Sequence, residues 1–194
     1  MSDPDIPYPL SPDSALERYR HALGEFIHDF SWMEVCLFGL LCAAAGVDEE
    51  IGQALFSGTR ADQLTSFIKR CYLARGRELE PYLSRAFEQL GVVNGARNAV
   101  VHSTTFALEE SETEVIATNR FRHMPKDVKN LILKPEELYA LAKDAQTISA
   151  VLIVAEAENR KPGSAAKLSA EMAIARPPWH YKPPKRRPLR RKEK

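Results

Sequence analysis

The sequence predicts an all-α protein: a four-helix-type up-and-down bundle with a small β-hairpin insertion and a disordered basic C-terminal tail. Three observations predict it. Apolar residues recur at alternating steps of three and four over two long stretches, residues 16–44 and 138–155, which is the rhythm of helices packed in left-handed bundles. A third stripe of the same period, Leu83, Phe87, Leu90, Asn94, Arg97 and Val101, lies between them. The basic residues crowd at one end. From Arg176 onward nine Lys or Arg stand against one acid, Glu193, so a chain of net charge +1 divides into a tail at +8 and a remainder at −7.

A chain of 194 residues, 44% apolar, is long enough for one domain with a substantial core. Residues 1–13 form a flexible, proline-punctuated arm, without the basic start and apolar centre of a signal peptide. The longest uncharged apolar run, Val35 to Val47, has 13 residues, short of the roughly 20 that span a bilayer. The three cysteines, Cys36, Cys42 and Cys71, lack the short paired spacings of zinc or redox motifs. These features predict a cytoplasmic protein that keeps off membranes and holds no metal or cofactor.

The helical domain spans residues 14–160. Ser14-Ala15-Leu16-Glu17 matches a capping box, and the first helix carries Leu16, Tyr19, Leu23, Phe26, Phe30, Met33, Leu37, Leu40 and Ala44 inward until Gly46 ends it. Asp48 caps a short helix through Phe56, which Ser57-Gly58 breaks. Thr59-x-x-Asp62 opens the next helix, with Leu64, Phe67, Ile68 and Cys71 inward, up to about Arg75-Gly76. The following helix starts from about Glu78, with Pro81 in its first turn. Ser103 to Leu108 and Glu114 to Phe121, rich in Thr, Val, Ile and Phe, predict a hairpin insertion over about 103–123. After a connector at Pro125 to Leu133, Pro135-Glu136-Glu137 opens a last long helix with the reach to lie along the first. Lys161-Pro162-Gly163 breaks it. A short helix falls within 161–175, and residues 176–194 form the basic tail, too polar to build a core.

Chemistry concentrates at Arg97-Asn98-Ala99-Val100-Val101-His102. A guanidinium is permanently charged and its planar fork matches two phosphoryl oxygens, while an imidazole exchanges a proton near neutral pH. RNA carries its own nucleophile, the 2′-hydroxyl, so strand cleavage needs a base, an acid and positive charge at the phosphorus, and no metal. Asn98 and His102, four apart, share a helix face, so the amide can orient the ring. Arg97 and His102, five apart, lie about 140° apart on an unbroken helix. Either the helix ends between them or the pair works with a second copy of itself, which the small Gly95 and Ala96 leave physically open. Glu34 is the only charge between Asp29 and Asp48, and Arg97 is its natural partner. An Arg-x4-His spacing also arises by chance.

The hexapeptide resembles the R-[N/D/H]-x3-H signature of the HEPN superfamily, and Phe30-Ser31-Trp32-Met33-Glu34-Val35-Cys36-Leu37 is similar to that family's first-helix segment with its lone acid. The resemblance covers roughly Ser14 to Ile153. It implies a helical bundle that dimerises around the motif helix and acts as a metal-independent endoribonuclease, in toxin and antitoxin systems or phage defence. Arg97 and His102 would be catalytic, Asn98 the polar helper and Glu34 the supporting acid. Some toxin members carry a tyrosine two residues after the histidine; Thr104 stands there in this chain. Other members are catalytically silent and bind only nucleotides or partner proteins. The tail offers a third reading, a nucleic-acid-binding regulator. Trp179, Tyr181, Lys182, Lys185, Arg186, Arg187, Arg190 and Arg191 interleave rings for base stacking with cations for phosphates. The partners expected are therefore RNA, a second copy of the chain, and an antitoxin or other partner protein.

Overall fold

The computed structural model describes residues 15–101, 104–107, 115–118, 133–167 and 179–183. It is helical. In chain order the elements are α1 (Ala15–Ala45), α2 (Glu49–Phe56), α3 (Ala61–Ala74), α4 (Pro81–Val101), β1 (Thr104–Ala107), β2 (Val115–Thr118) and α5 (Pro135–Arg160). The two short strands pair antiparallel, with Thr104 opposite Thr118 and Ala107 opposite Val115. Ser14 of the expected capping box, His102, the remainder of the hairpin, the connector up to residue 132, most of the expected short helix, and Lys185, Arg186, Arg187, Arg190 and Arg191 lie outside the described residues.

Local chemistry sets the helix ends. The Asp48 carboxylate accepts the Ile51 amide at 2.9 Å and caps α2. At the end of α1, Gly46 takes φ +74, which lets its own amide and that of Val47 return to the carbonyls of Ala43 and Cys42. Pro81 and Pro135 each stand first in their helix, where a missing amide hydrogen costs nothing. At α5 the Lys134 amide donates to Glu137 Oε2 at 2.8 Å. The start of α3 departs from expectation: its capping position is Arg60, one residue beyond Thr59.

The core is built chiefly between α1 and α5. Tyr19, Phe26, Phe30, Met33, Leu37 and Leu40 of α1 are fully buried, as are Leu138, Leu141, Ile148 and Leu152 of α5. Each such side chain contributes about 1.5–3 kcal/mol on burial. Three contacts fix the relative direction of the two helices. His21 meets Tyr139 at 2.9 Å, Asp29 accepts from Gln146 at 2.8 Å, and Gly39 abuts the Glu156 carboxylate. The partners advance together along both helices, so α1 and α5 run parallel rather than in up-and-down alternation. α3 also follows α1 in direction, since Ala61 borders the same cleft as Glu34 while Arg75 reaches Gly46. The short α2 makes the return that a full-length antiparallel helix would otherwise make. α4 is antiparallel to α5: Arg77, just before it, bonds Asn159 at 3.1 Å, and Gln89 bonds Asp144 at 2.7 Å.

By length and composition alone α1 and α5 could each cross a bilayer, which the shorter uncharged run in the sequence did not suggest. Half of the apolar window of α1 and 61% of that of α5 are buried within the protein. Cys36 and Cys42 are buried and free, and burial pushes both thiols up.

Candidate functional site

The site is built on the last two turns of α4. The predicted stripe holds through Leu83, Phe87 and Leu90, all buried, and then turns. Val93, Ala96 and Val100 take over the core positions, whereas Val101 is 45% exposed. A straight helix drifts by about 20° per heptad against a 3.5-residue repeat, which moves the apolar face off Asn94, Arg97 and Val101. Arg97 is therefore not a core residue. It borders a cleft of about 550 Å³ lined by Glu34 of α1, Gly58 to Asp62 at the start of α3, and Asn94, Arg97 and Asn98 of α4.

Three neighbours hold the guanidinium. Its Nη1 donates to Asn98 Oδ1 at 3.2 Å. The Phe30 ring lies beneath it, 5.5 Å from centroid to the guanidinium carbon, a cation–π distance. Glu34 acts across the cleft. Burial pushes the Glu34 carboxyl above its ordinary range, and the positive charge of Arg97 pulls it partly back. No ion pair between them falls within 4.0 Å among the described residues, so Glu34 influences Arg97 through the field and not by a direct bond. The Arg97 Nε is buried and has no hydrogen-bond partner. An unmatched buried donor of this kind costs about 1–3 kcal/mol.

The Asn98 carbonyl oxygen accepts from Arg97; the expected contact of Asn98 with His102 lies outside the described residues. α4 ends at Val101, immediately before the histidine. The outer face of α4 is open: Gly91 and Gly95 are exposed, and a Cβ added at either would meet nothing within 4 Å. Among the described residues no group of three or more His, Cys, Asp or Glu is placed to hold a metal ion.

The residues expected to bind RNA from a disordered tail divide. Tyr181 is only 6% exposed, so its ring is not free to stack on a base, and Trp179 is partly buried against the core. Their anchor is Asp144, a fully buried carboxylate of α5. Its Oδ1 accepts the His180 amide at 2.7 Å, and its Oδ2 accepts the Tyr181 amide at 3.0 Å and Gln89 Nε2 at 2.7 Å. Gln89 Nε2 also donates to the Tyr181 carbonyl at 3.2 Å. Residues 179–183 are thus a strap docked against α4 and α5, and the disordered-tail expectation fails there. Lys182 remains exposed. Sequence reasoning missed Asp144, because Lys143 beside it makes an ordinary charged pair rather than the lone acid in apolar company that singled out Glu34. It also missed Arg60 and Thr59, which lie far from the motif in sequence.

No protein-family model, curated protein or solved structure matches this chain.

Proposed function

We propose that the protein is a metal-independent endoribonuclease of HEPN type, a helical bundle acting in the cytoplasm as a homodimer through α4. The observation that carries this reading is Arg97 beside an open cleft with an unsatisfied buried donor, five residues before a histidine. The guanidinium binds the scissile phosphate and balances the charge that grows on its oxygens. One His102 removes the proton from the 2′-hydroxyl, whose oxygen attacks phosphorus. The 5′-oxygen leaves with a proton from the His102 of the second copy, giving a 2′,3′-cyclic phosphate and a 5′-hydroxyl. The exposed Gly91 and Gly95 support close approach of a second α4. Asn98 and Phe30 orient the guanidinium, and Glu34 tunes the field around it.

Purified protein in EDTA is expected to cut single-stranded RNA. Both Arg97→Ala and His102→Ala should abolish cutting while circular dichroism shows the fold intact. Cleavage persisting in both variants refutes the assignment. A catalytically silent module that binds a nucleotide or partner protein is the alternative, and it predicts that wild type and His102→Ala are indistinguishable in any cleavage assay. Burial of Tyr181 speaks against the third reading, a regulator binding nucleic acid through tail aromatics.

A further inference from the structure

The seam between α1 and α5 opens, on its solvent side, onto a surface that carries apolar groups and no charge. Asp29 bonds Gln146 and Gly39 abuts the Glu156 carboxylate, so the residues between those contacts stand level on the two helices. On α1 they include Trp32 and Val35, 53% and 56% exposed; on α5 they include Ala150, also exposed, and Ile153, 46% exposed. Between Asp29 and Asp48 the only charge on α1 is Glu34, which lies about 160° around the helix from Trp32 and lines the cleft. Between Asp144 and Glu156 there is none on α5. A single exposed apolar side chain is ordinary. A tryptophan grouped with two branched side chains on an uncharged band has the composition of an interface centre.

Size and rim identify what covers it. The 26 residues of α5 extend about 40 Å, and two helices side by side are about 20 Å wide. The face therefore measures about 800 Å², which is what each partner contributes to an ordinary stable dimer. The rim is mixed in charge, with Asp29 and Lys143 at one end and Glu156 and Arg160 at the other. It lacks the basic collar that draws an anionic bilayer. It does match a copy of itself turned end for end. A two-fold axis at the level of Trp32 and Ala150, midway between Lys143 and Glu156, sets Trp32 against its counterpart and Lys143 of each copy opposite Glu156 of the other. Lys143 is exposed and enters none of the ion pairs within 4.0 Å among the described residues.

We propose that a second copy of this chain docks on the outer face of α1 and α5, in a two-fold interface centred on Trp32. This interface is separate from the one at α4 and owes nothing to the ribonuclease reading. Where both form, two α4 dimers join into a closed tetramer.

The test is sedimentation equilibrium of the full chain over a concentration series. Trp32→Glu is expected to weaken self-association at least about tenfold, with circular dichroism and the thermal midpoint unchanged because the side chain is exposed. In a Gly95→Arg background, which blocks close approach at α4, the chain should still dimerise, and adding Trp32→Glu should leave a monomer. Lys143→Glu and Glu156→Lys should each weaken self-association, and the two variants mixed should bind each other more tightly than either binds itself. A monomeric Gly95→Arg chain, association unchanged by Trp32→Glu, or no recovery in the mixture overturns the proposal. Phosphatidylcholine vesicles supply the other occupant: a monomer that binds them through Trp32 assigns the face to lipid and also overturns it.

Discussion

Asp144→Ala is expected to destabilise the protein by about 3–5 kcal/mol, because it leaves several buried donors without their acceptor at about 1–3 kcal/mol each. The structure sets that figure. The carboxylate is fully buried and accepts three hydrogen bonds of 2.7–3.0 Å, each leaving behind a donor that must find water. The cost is a large share of the 5–15 kcal/mol that holds a typical domain together. Ending the chain at Arg176 should cost a similar amount, since it strips two of those donors from Asp144 and exposes the Tyr181 seat; ending it at Pro183 should cost little. Because the carboxylate and the strap act as one unit, the strap deletion should hurt Asp144→Ala less than wild type, by at least about 1.5 kcal/mol. Urea unfolding followed by circular dichroism, compared at constant m-value, measures all five chains. Asp144→Ala within 0.5 kcal/mol of wild type, or strictly additive losses, would refute the account of the strap as a structural latch.

Glu34→Gln should stabilise the fold at neutral pH. The folded carboxyl sits above its ordinary value of 4.5, mainly through burial, so ionising it costs stability as pH rises through that raised value. The gain from the amide should vanish below pH 4.5, which unfolding curves across pH can check. Gly52→Ala places a methyl group on Cys42 Sγ, where α2 crosses α1, and should cost about 1–3 kcal/mol; adding Cys42→Ala should recover most of the loss. Tyr72→Phe removes the 2.6 Å bond from Asn159 and should cost about 1 kcal/mol. In wild type the Tyr72 phenol, pushed up to about 12 by burial, should ionise late in an ultraviolet titration.

Much of the helical layout was legible in the residues. The three-four stagger from Tyr19 to Ala44 maps onto buried positions along α1, and Pro81, Pro135, Asp48 and Gly46 mark ends that the backbone adopts. Periodicity shows which face of a helix is apolar but says nothing of direction, so the parallel run of α1 and α5 was invisible. It also misplaced Arg97, because a stripe counted over one turn too many no longer follows the core. The strap was hidden for a different reason. Composition marks 176–194 as too polar for a core, yet Trp179 and Tyr181 sit among those residues, and a buried carboxylate 37 positions earlier holds Tyr181 in place. A three-dimensional bond between distant residues leaves no local pattern. Of the site, Arg97 and Glu34 were readable as charges in apolar company; Arg60 was not, since a cation at a helix start looks like an ordinary surface residue.

The parallel pairing of α1 with α5 has a consequence for how the chain reaches its native state. His21 and Tyr139 are 118 positions apart, and the other contacts along that seam span nearly as much chain. Helical proteins usually fold within microseconds to milliseconds because their contacts are local. Here the main apolar seam must wait for closure of a loop more than a hundred residues long. Until then α1 lies against the shorter α2 and α3 and lacks its main partner, so an N-terminal fragment stopping before Pro135 should collapse, bind hydrophobic dyes and aggregate.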